Sequence, residues 1–250
     1  MTNVSRRATV VIPAYNEGEN IVPGLDRIVA AVDENVEVLV VVDSAQDTTI
    51  PAVKRYAKNH PQVAVLVNDY GRGPAFAIRY GMDRAAAPTV VVTMADGCDD
   101  PRQIEELVLL VERGVVVAAA SRYMAGGQQV GAPALKSFLS RLAGQSLHAF
   151  AHAGTRDATN SFKAYDAAFV RSVGIDSRDG FEIGLELTSK ARRLRLPVAE
   201  IPTIWLDRTA GESNFKLAEW IPKYLRWYRF AFGRRLTVEQ LNAKMNRTKE

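Results

Sequence analysis

Short apolar runs alternate with amphipathic stretches along the first half of the chain. The runs at Val36–Val42 and Val63–Val67 are rich in β-branched residues, which is typical of strands buried on both faces of a sheet. The stretches between them repeat apolar residues at helical spacing over about ten to fifteen residues. We therefore predict strands at residues 8–12, 36–42, 63–67, 89–94, 115–120 and 198–206, and helices at residues 20–32, 49–58, 74–86, 101–112, 135–151 and 217–235.

This alternation predicts an α/β fold with a mostly parallel sheet. Right-handed crossovers would place the loops that follow the strands along one edge of the sheet, where open α/β sheets bind ligands. No internal repeat, low-complexity tract or interdomain linker interrupts the pattern. The glycine-rich residues 124–133, where the alternation fails, are predicted to form a mobile loop that closes over a ligand.

Three aspartates follow the predicted strand at residues 89–94. Asp96, Asp99 and Asp100 lie so close together that their charges would repel each other, so a divalent cation or nearby arginines must neutralise them. Oxygen ligands in a short loop suit Mg²⁺ or Mn²⁺, which commonly binds a substrate diphosphate as well. The alternative interpretation is a helix N-cap followed by solvated acids in a turn.

Two further polar features stand near predicted helix starts. Residues 71–73, Gly-Arg-Gly, precede a helix and would offer backbone N–H groups and the Arg72 guanidinium to a phosphate, although Gly-x-Gly turns are common. Glu182 and Glu186 lie one helical turn apart on the same face. For Glu186 we prefer the interpretation of a solvated or ion-paired helix face.

Composition narrows the choice of partners and compartment. The net charge of +4 and the pI near 9.2 are compatible with anionic substrates, nucleic acid or an anionic membrane surface. Nucleic acid is not the expected partner, because the basic residues are dispersed. Cys98 is the single cysteine, which favours the reducing cytoplasm. No apolar run is long enough to span a membrane, so we expect a cytoplasmic protein whose membrane contact, if any, is peripheral on the inner face.

The C-terminal segment predicts an amphipathic helix, and we divide the chain into a domain at residues 1–215 and a helix with a tail at residues 216–250. Its predicted apolar face comprises Leu217, Trp220, Ile221, Tyr224, Leu225 and Tyr228. Other positions carry Lys223, Arg226 and Arg229, and further aromatic surface comes from Trp227, Phe230 and Phe232. Such a helix suits an anionic membrane interface. The alternative is that its apolar face packs on the preceding domain while the basic residues are solvated.

Six short motifs occur in a fixed order along the chain. They are residues 11–17 (VIPAYNE), 96–101 (DGCDDP), 121–123 (SRY), 157–162 (DATNSF), 180–182 (GFE) and 207–213 (DRTAGES). Together they resemble the family 2 inverting glycosyltransferases, and within them the polyprenyl-phosphate sugar synthases of the dolichyl-phosphate mannosyltransferase type. The resemblance extends from about residue 9 to residue 216.

The resemblance implies a GT-A (Rossmann-like) nucleotide-sugar-binding fold, a GDP- or UDP-sugar donor, and Mg²⁺ or Mn²⁺ as cofactor. The positions that it assigns to the donor are Pro13, Tyr15, Glu17, Asp43, Arg72, Asp96 and Arg208. It assigns Arg122, Lys136 and Ser140 to the phosphate of the acceptor. Within the donor set, it places Asp96 at the second acid of the family's Asp-x-Asp motif and Arg208 at the diphosphate.

The chain departs from this family pattern around the acidic motif. Met94 stands where the first Asp of Asp-x-Asp is expected, and Cys98 replaces a frequent glutamine ligand. Asp99 or Asp100 would then supply a second metal-binding oxygen, or Arg208 and Arg72 would support a site that depends less on metal. The paired acids that usually follow the second strand are reduced to Asp43.

Three functions remain open at this point. The first is transfer of a sugar from a nucleotide sugar to a polyprenyl phosphate, an acceptor that arrives ionised and needs only positioning. The second is transfer to a hydroxyl acceptor, for which Asp179 or Glu182 is the candidate general base. The third is nucleotide-sugar binding without catalysis, which the replacement at Met94 suggests.

Overall fold

A seven-stranded sheet forms the centre of the protein, and the computed structural model describes residues 6–207 and 217–246. The strands are β1 (Ala8–Pro13), β2 (Val36–Val42), β3 (Val63–Val67), β4 (Thr89–Val92), β5 (Val117–Ser121), β6 (Gln128–Val130), β7 (Lys163–Asp166), β8 (Val198–Pro202) and β9 (Ile204–Leu206). Their order in the sheet is β3-β2-β1-β4-β7-β5-β8, and β6 pairs with β9 in a separate ribbon. β7 is antiparallel to both of its neighbours, and the other strand pairs are parallel. This mostly parallel α/β sheet confirms the predicted fold class.

Helices cover both faces of the sheet. They are α1 (Val22–Ala31), α2 (Thr49–Tyr56), α3 (Pro74–Arg84), α4 (Ile104–Glu112), α5 (Ala134–Ser146), α6 (Ala167–Val173), α7 (Ile183–Leu194), α8 (Leu217–Ala231) and α9 (Val238–Asn246). One core joins the sheet to α1, α2 and α4. The core on the other face contains α3, α6, α7, α8, α9 and a π-helical turn, Leu147–Ala151, that continues α5.

The direction of β7 determines which loop reaches the carboxyl edge of the sheet. Because β7 is antiparallel to β4, its first residue, Lys163, pairs with Val92, the last residue of β4. Residues 157–162, which precede β7, therefore arrive at the same edge as the acidic loop that follows β4. The loops after β1 and β2 also leave the sheet at this edge, since both strands are parallel to β4. The fold thus gathers loops from distant parts of the sequence.

Several predicted strand boundaries are wrong in the part of the chain where the paired strands lie far apart in sequence. Residues 124–133 contain β6, whose Val130 pairs with Leu206 of β9. The strand predicted at residues 198–206 is broken at Thr203, so β8 joins the main sheet and β9 joins β6. The predictions also missed β7, α6 and α9. The strands predicted at Val36–Val42 and Val63–Val67 have the observed bounds.

The C-terminal helix α8 forms as predicted, but its aromatic residues do not all face outward. Trp227 is 2% exposed, its indole N–H donates to Ser177 Oγ at 3.0 Å, and its carbonyl accepts from Ser189 Oγ at 3.1 Å. Tyr224 and Tyr228 pack against the same core, whereas Ile221 is exposed. The prediction that Trp227 belongs to a membrane-facing surface is therefore wrong. For this residue the alternative is correct, because it packs on the preceding part of the chain. The side chains of Leu217 and Trp220 lie outside the described residues.

Within residues 6–207 and 217–246, no helix is both long enough and apolar enough to span a bilayer. The boundary between the two predicted domains, at residues 215 and 216, lies outside the described residues, so that division stays a prediction.

Candidate active site

The acidic loop after β4 borders a cavity of about 300 Å³ at the carboxyl edge of the sheet. Asp96 lines this cavity, and its Oδ1 accepts the backbone N–H of Cys98 at 3.1 Å. The lining also includes Asn20 of the 3-10 turn Gly18–Ile21, Gly24 of α1, and Asp207. The cavity therefore joins the first helix, the acidic loop and the segment after β9.

Arg27 of α1 holds the acidic loop from the outside. Its guanidinium donates to the carbonyl of Gly97 at 2.8 Å and to the carbonyl of Asp99 at 3.1 Å. These contacts fix the backbone that carries Asp96 and bring a positive charge to the cavity wall. The sequence reasoning gave Arg27 no role, because nothing in the local pattern connects α1 to this loop.

The other two aspartates of the loop contact protein groups. Asp99 is buried, and its Oδ2 accepts from Thr93 Oγ1 at 2.8 Å and from the Met94 N–H at 3.3 Å. Burial, together with the charge of Asp96, raises the pKa of Asp99 to about 6. Asp100 caps the 3-10 turn Pro101–Gln103 and pairs with Arg102 at 2.7 Å, which lowers the pKa of this carboxyl. Of the three, Asp96 is the one that lines the cavity.

The turn after β1 carries three of the predicted donor residues. Pro13 ends β1 and is buried, Tyr15 is 69% exposed, and the backbone N–H of Glu17 donates to Thr49 Oγ1 at 3.0 Å. Asp47 organises this turn, since its carboxylate accepts from the Asn16 N–H at 3.0 Å and from the Thr49 N–H at 2.8 Å. Tyr15 therefore projects from a turn that is fixed to the loop after β2.

Asp43, at the end of β2, fixes the loop that contains Arg72. Its two oxygens accept from Asn68 Nδ2 at 2.8 Å and from the Gly73 N–H at 2.6 Å. The Gly73 amide is thus engaged by Asp43, which corrects the expectation that it is available to a phosphate. Gly73 has φ 108°, a backbone conformation that favours glycine. Arg72 is exposed beside it.

A buried ion pair forms the second half of the site. Arg122, at the end of β5, donates Nε–H to Asp157 Oδ2 at 2.7 Å and Nη2–H to Oδ1 at 2.9 Å. Asp157 is fully buried, and although burial opposes ionisation, the charge of Arg122 keeps the pKa of this carboxyl lowered. The bidentate geometry fixes the plane of the guanidinium. Lys163 of β7 pairs with Val92 of β4 and with Ala119 of β5, so Arg122, which follows β5, lies at the same edge of the sheet as the acidic loop that follows β4.

Thr159 connects this ion pair to helix α5. Its Oγ1 lies 3.5 Å from Arg122 Nη2 and 2.6 Å from Ser140 Oγ. The structure therefore brings together Arg122 and Ser140, two of the three residues assigned to the acceptor. Lys136 precedes Ser140 by one turn of α5, and its side chain lies outside the described residues. Arg208 also lies outside them.

Residues 9–174 match the model of the family described as glycosyl transferase family 2. The chain belongs to glycosyl transferase family 2. It is 29% identical over 231 residues to an undecaprenyl-phosphate mannosyltransferase of Micrococcus luteus, a match that covers 88% of this chain and 93% of that protein. A polyprenol monophosphomannose synthase of Mycolicibacterium smegmatis is 28% identical over 232 residues, with 86% and 87% covered.

Solved structures confirm the GT-A fold of this family 2 glycosyltransferase. A mannosyltransferase from Pyrobaculum calidifontis, in complex with GDP-Man and Mn²⁺, has a TM-score of 0.63 at 19% identity, over 97% of this chain and 69% of that one. A glucosyl-3-phosphoglycerate synthase from Mycobacterium tuberculosis, solved with Mn²⁺ and UDP, has a TM-score of 0.65 at 18% identity, over 93% and 82%.

The glycosyltransferase carries a buried glutamate, Glu182, just before α7. Its Oε1 accepts the Asp179 N–H at 3.2 Å, and its side chain makes no capping hydrogen bond to α7. Its Oε2 is buried without a hydrogen-bond partner among the described residues, and burial raises the pKa of the carboxyl. Asp179 is more exposed, with Lys223 Nζ at 3.6 Å. Of the two candidate bases, Glu182 is the buried one.

Glu186 does not lie on a solvated face. It is fully buried, pairs with Lys190 Nζ at 2.6 Å, and accepts the N–H groups of Asp176 and Ser177 at 2.7 and 2.8 Å. The preferred interpretation was therefore correct about ion pairing and wrong about solvation. Because these contacts fix residues 176–177, Glu186 supports the segment that leads to Asp179 and Glu182.

Lys163 is a residue of the site that the sequence reasoning missed. Its ammonium is fully buried and donates to the carbonyls of Ala158 and Asn160, in the loop that carries Thr159. Burial lowers the pKa of Lys163 to about 7, although the charge of Asp157 opposes this change. A lysine inside a short apolar run was the available signal, since charged residues are seldom fully buried without partners.

Carboxylates at the cavity are the candidate ligands of a divalent metal ion. Within residues 6–207 and 217–246, no group of three or more His, Cys, Asp or Glu side chains is arranged to hold a metal by itself. Asp96 and Asp207 nevertheless line the same cavity. Two carboxylates fit Mg²⁺ or Mn²⁺, because such ions commonly complete their coordination with waters and substrate phosphates.

Proposed function

We propose that this glycosyltransferase moves a sugar from a GDP- or UDP-sugar to a polyprenyl phosphate, with inversion at the anomeric carbon. The observation that carries the proposal is the linked group Arg122, Thr159 and Ser140, which lies at the same edge of the sheet as the acidic loop. Asp157 accepts from Nε and Nη2 of Arg122, and the guanidinium has further N–H groups that can donate to an anion. The relatives named for undecaprenyl-phosphate and polyprenol substrates support the same acceptor class.

The donor would lie along the carboxyl edge of the sheet. We assign Tyr15 and Asp43 to the nucleoside, and we assign the cavity that Asp96 and Asp207 border to the diphosphate. Mg²⁺ or Mn²⁺, held there by Asp96 and Asp207, would supply positive charge to the leaving diphosphate. The solved structures that contain Mn²⁺ with GDP-Man or UDP support this assignment. We assign Arg208 to the diphosphate as well.

The reaction needs little proton transfer if the acceptor is a phosphate. An ionised phosphate oxygen forms a bond to the anomeric carbon, while the bond from that carbon to the diphosphate oxygen breaks and its electron pair leaves with the nucleoside diphosphate. Arg122 and Ser140 would orient the attacking phosphate on the face of the sugar ring opposite the leaving diphosphate. Arg27 and Asp157 keep the two halves of the site in place.

A hydroxyl acceptor is the second candidate, and one observation favours it. Burial raises the pKa of Glu182, and its Oε2 has no hydrogen-bond partner among the described residues, so this oxygen keeps the capacity to accept a proton from a hydroxyl that reaches it. In that case the carboxylate of Glu182 would take the hydroxyl proton as the bond to the sugar forms. Glu182→Gln would then abolish transfer, whereas it would leave transfer to a phosphate largely intact.

The donor and the stereochemistry are tested in two steps. First, a panel of UDP- and GDP-sugars is added with Mn²⁺ or Mg²⁺, and the donor is identified by the rise in unfolding temperature. Second, that donor is incubated with a short polyprenyl phosphate, and NMR gives the anomeric configuration of the product. We expect the configuration opposite to that of the donor. A product of retained configuration would contradict the direct displacement.

A further inference from the structure

Helix α5 and its π-helical continuation expose a row of large apolar side chains. Leu135, Phe138, Leu142 and Phe150, here called the α5 stripe, are between 56% and 75% exposed. The first three follow each other at spacings of three and four residues, so they share one side of the helix. Exposed apolar residues are common singly, whereas a row on one face marks an interaction surface.

The opposite side of α5 is fixed to the proposed acceptor site. Ser140 Oγ lies 2.6 Å from Thr159 Oγ1, and Leu147 is fully buried. A Cβ added at Gly144 would overlap the carbonyl of Arg156, so the helix backbone packs directly on the loop that precedes Asp157. The α5 stripe therefore cannot turn inward without removing Ser140 from the site.

The charge around the α5 stripe has one sign. No Asp or Glu occurs between Glu112 and Asp157, although the whole chain contains 28 acidic residues. Arg141 is exposed on α5, with its guanidinium 5.5 Å from the centre of the Tyr123 ring. Residues 113–156 therefore combine the apolar side chains of the stripe with cations and contribute no carboxylate that would repel an anionic partner.

Helix α8 extends the cationic surface. Ser146 Oγ of α5 lies 2.9 Å from the Tyr228 hydroxyl, so the two helices are in contact. On α8, Arg226 and Arg229 are exposed, and no acidic residue occurs from Trp220 to Thr237. Apolar residues combined with arginines are what interfacial helices use among anionic lipid headgroups.

We propose that the α5 stripe is the surface with which this protein docks on an anionic lipid bilayer. This inference rests on the proposed function, because a polyprenyl phosphate resides in a bilayer and its phosphate must reach Arg122 and Ser140. A bilayer that contacts one side of α5 is one helix diameter from Ser140 on the other side. The inference replaces the membrane role that the sequence suggested for Trp227, which is buried.

The test is sedimentation with vesicles of phosphatidylcholine alone and of phosphatidylcholine mixed with phosphatidylglycerol. Wild type is compared with Phe138→Ser/Leu142→Ser and with the control Leu109→Ser, an exposed leucine of α4 on the opposite face of the sheet. We expect binding to the anionic vesicles to fall about tenfold or more in the double variant and to be unchanged in the control. Equal unfolding temperatures of the three proteins would show that folding is preserved.

Activity on two acceptors separates this inference from the proposed function. The double variant should transfer sugar normally to a short, water-soluble polyprenyl phosphate and poorly to a long-chain one in vesicles. Undiminished vesicle binding by the double variant, or no binding by wild type, would overturn the docking surface. Light scattering that shows a dimer for wild type and a monomer for the double variant would also overturn it, because the α5 stripe would then bind a second copy of the chain. Failure of wild type on both acceptors would instead contradict the proposed function.

Discussion

Individual carboxylates in the acidic loop have distinct surroundings, which their sequence spacing alone does not show. Asp96 borders the cavity, Asp99 accepts hydrogen bonds from Thr93 and Met94, and Asp100 caps a turn. The sequence indicated that a cluster of acids ends the strand, but burial and partners decide which acid faces a ligand. Those depend on residues such as Arg27 that are remote in sequence.

We predict that Asp96→Asn lowers kcat/KM by roughly a hundredfold or more, because a neutral amide no longer attracts the metal ion proposed for the diphosphate. The fold should survive, as measured by circular dichroism and thermal unfolding. Asp100→Asn is the matched control, since asparagine caps a helix start about as well as aspartate. Equal losses in the two variants would remove Asp96 from its proposed role.

Lys163 gives a prediction about pH and stability. Its pKa is lowered to about 7 from 10.5, so between those values the unfolded chain binds a proton that the folded protein does not. Stability from this residue therefore rises with pH across that window and is lost as pH falls through it. We expect the free energy of unfolding of wild type to increase with pH relative to that of Lys163→Met, as measured by urea denaturation. A difference that does not change between pH 7 and 10 would mean that the buried amine keeps its proton.

Elements were predictable where a local pattern determines them. β2 and β3 are continuous runs of buried β-branched residues, and their bounds were predicted without error. The pairing of β6 with β9 was not predictable, because each strand has only three residues and the two lie far apart in sequence. β7 was missed for a similar reason, since it is short and contains the buried Lys163. The predicted mobility of residues 124–133 stays a prediction.

At the scale of elements, we predict that Gly144→Ala displaces α5 from the site. The added methyl group would overlap the Arg156 carbonyl, so the helix must shift, at a cost of about 1–3 kcal/mol in unfolding free energy. Because Ser140 moves with the helix, KM for the acceptor should rise more than KM for the donor. Ala143→Ser, at the half-buried neighbouring position, is the control. If both KM values rise equally, α5 does not position the acceptor.

At the scale of the whole molecule, different features of the sequence predicted the fold and the residues of the site. The βα alternation predicted the sheet and the edge at which ligands bind. The motif resemblance predicted Arg122 and Ser140, which the structure connects through Thr159. The buried network of Glu186 and Lys190 could not be predicted, because helical spacing alone does not distinguish a solvated face from one covered by another helix.

Transfer to a phosphate rather than to a hydroxyl is the central claim, and one comparison of acceptors tests it most directly. The purified protein is given its nucleotide sugar and divalent metal together with either a polyprenyl phosphate or the polyprenol of the same chain length. Lipid-linked sugar is then measured by mass spectrometry for wild type and for Arg122→Lys, which lacks the planar bidentate group. We expect product from the phosphate alone, with a strong loss in Arg122→Lys. Equal transfer to the polyprenol, or full activity of Arg122→Lys on the phosphate, would contradict the proposed function.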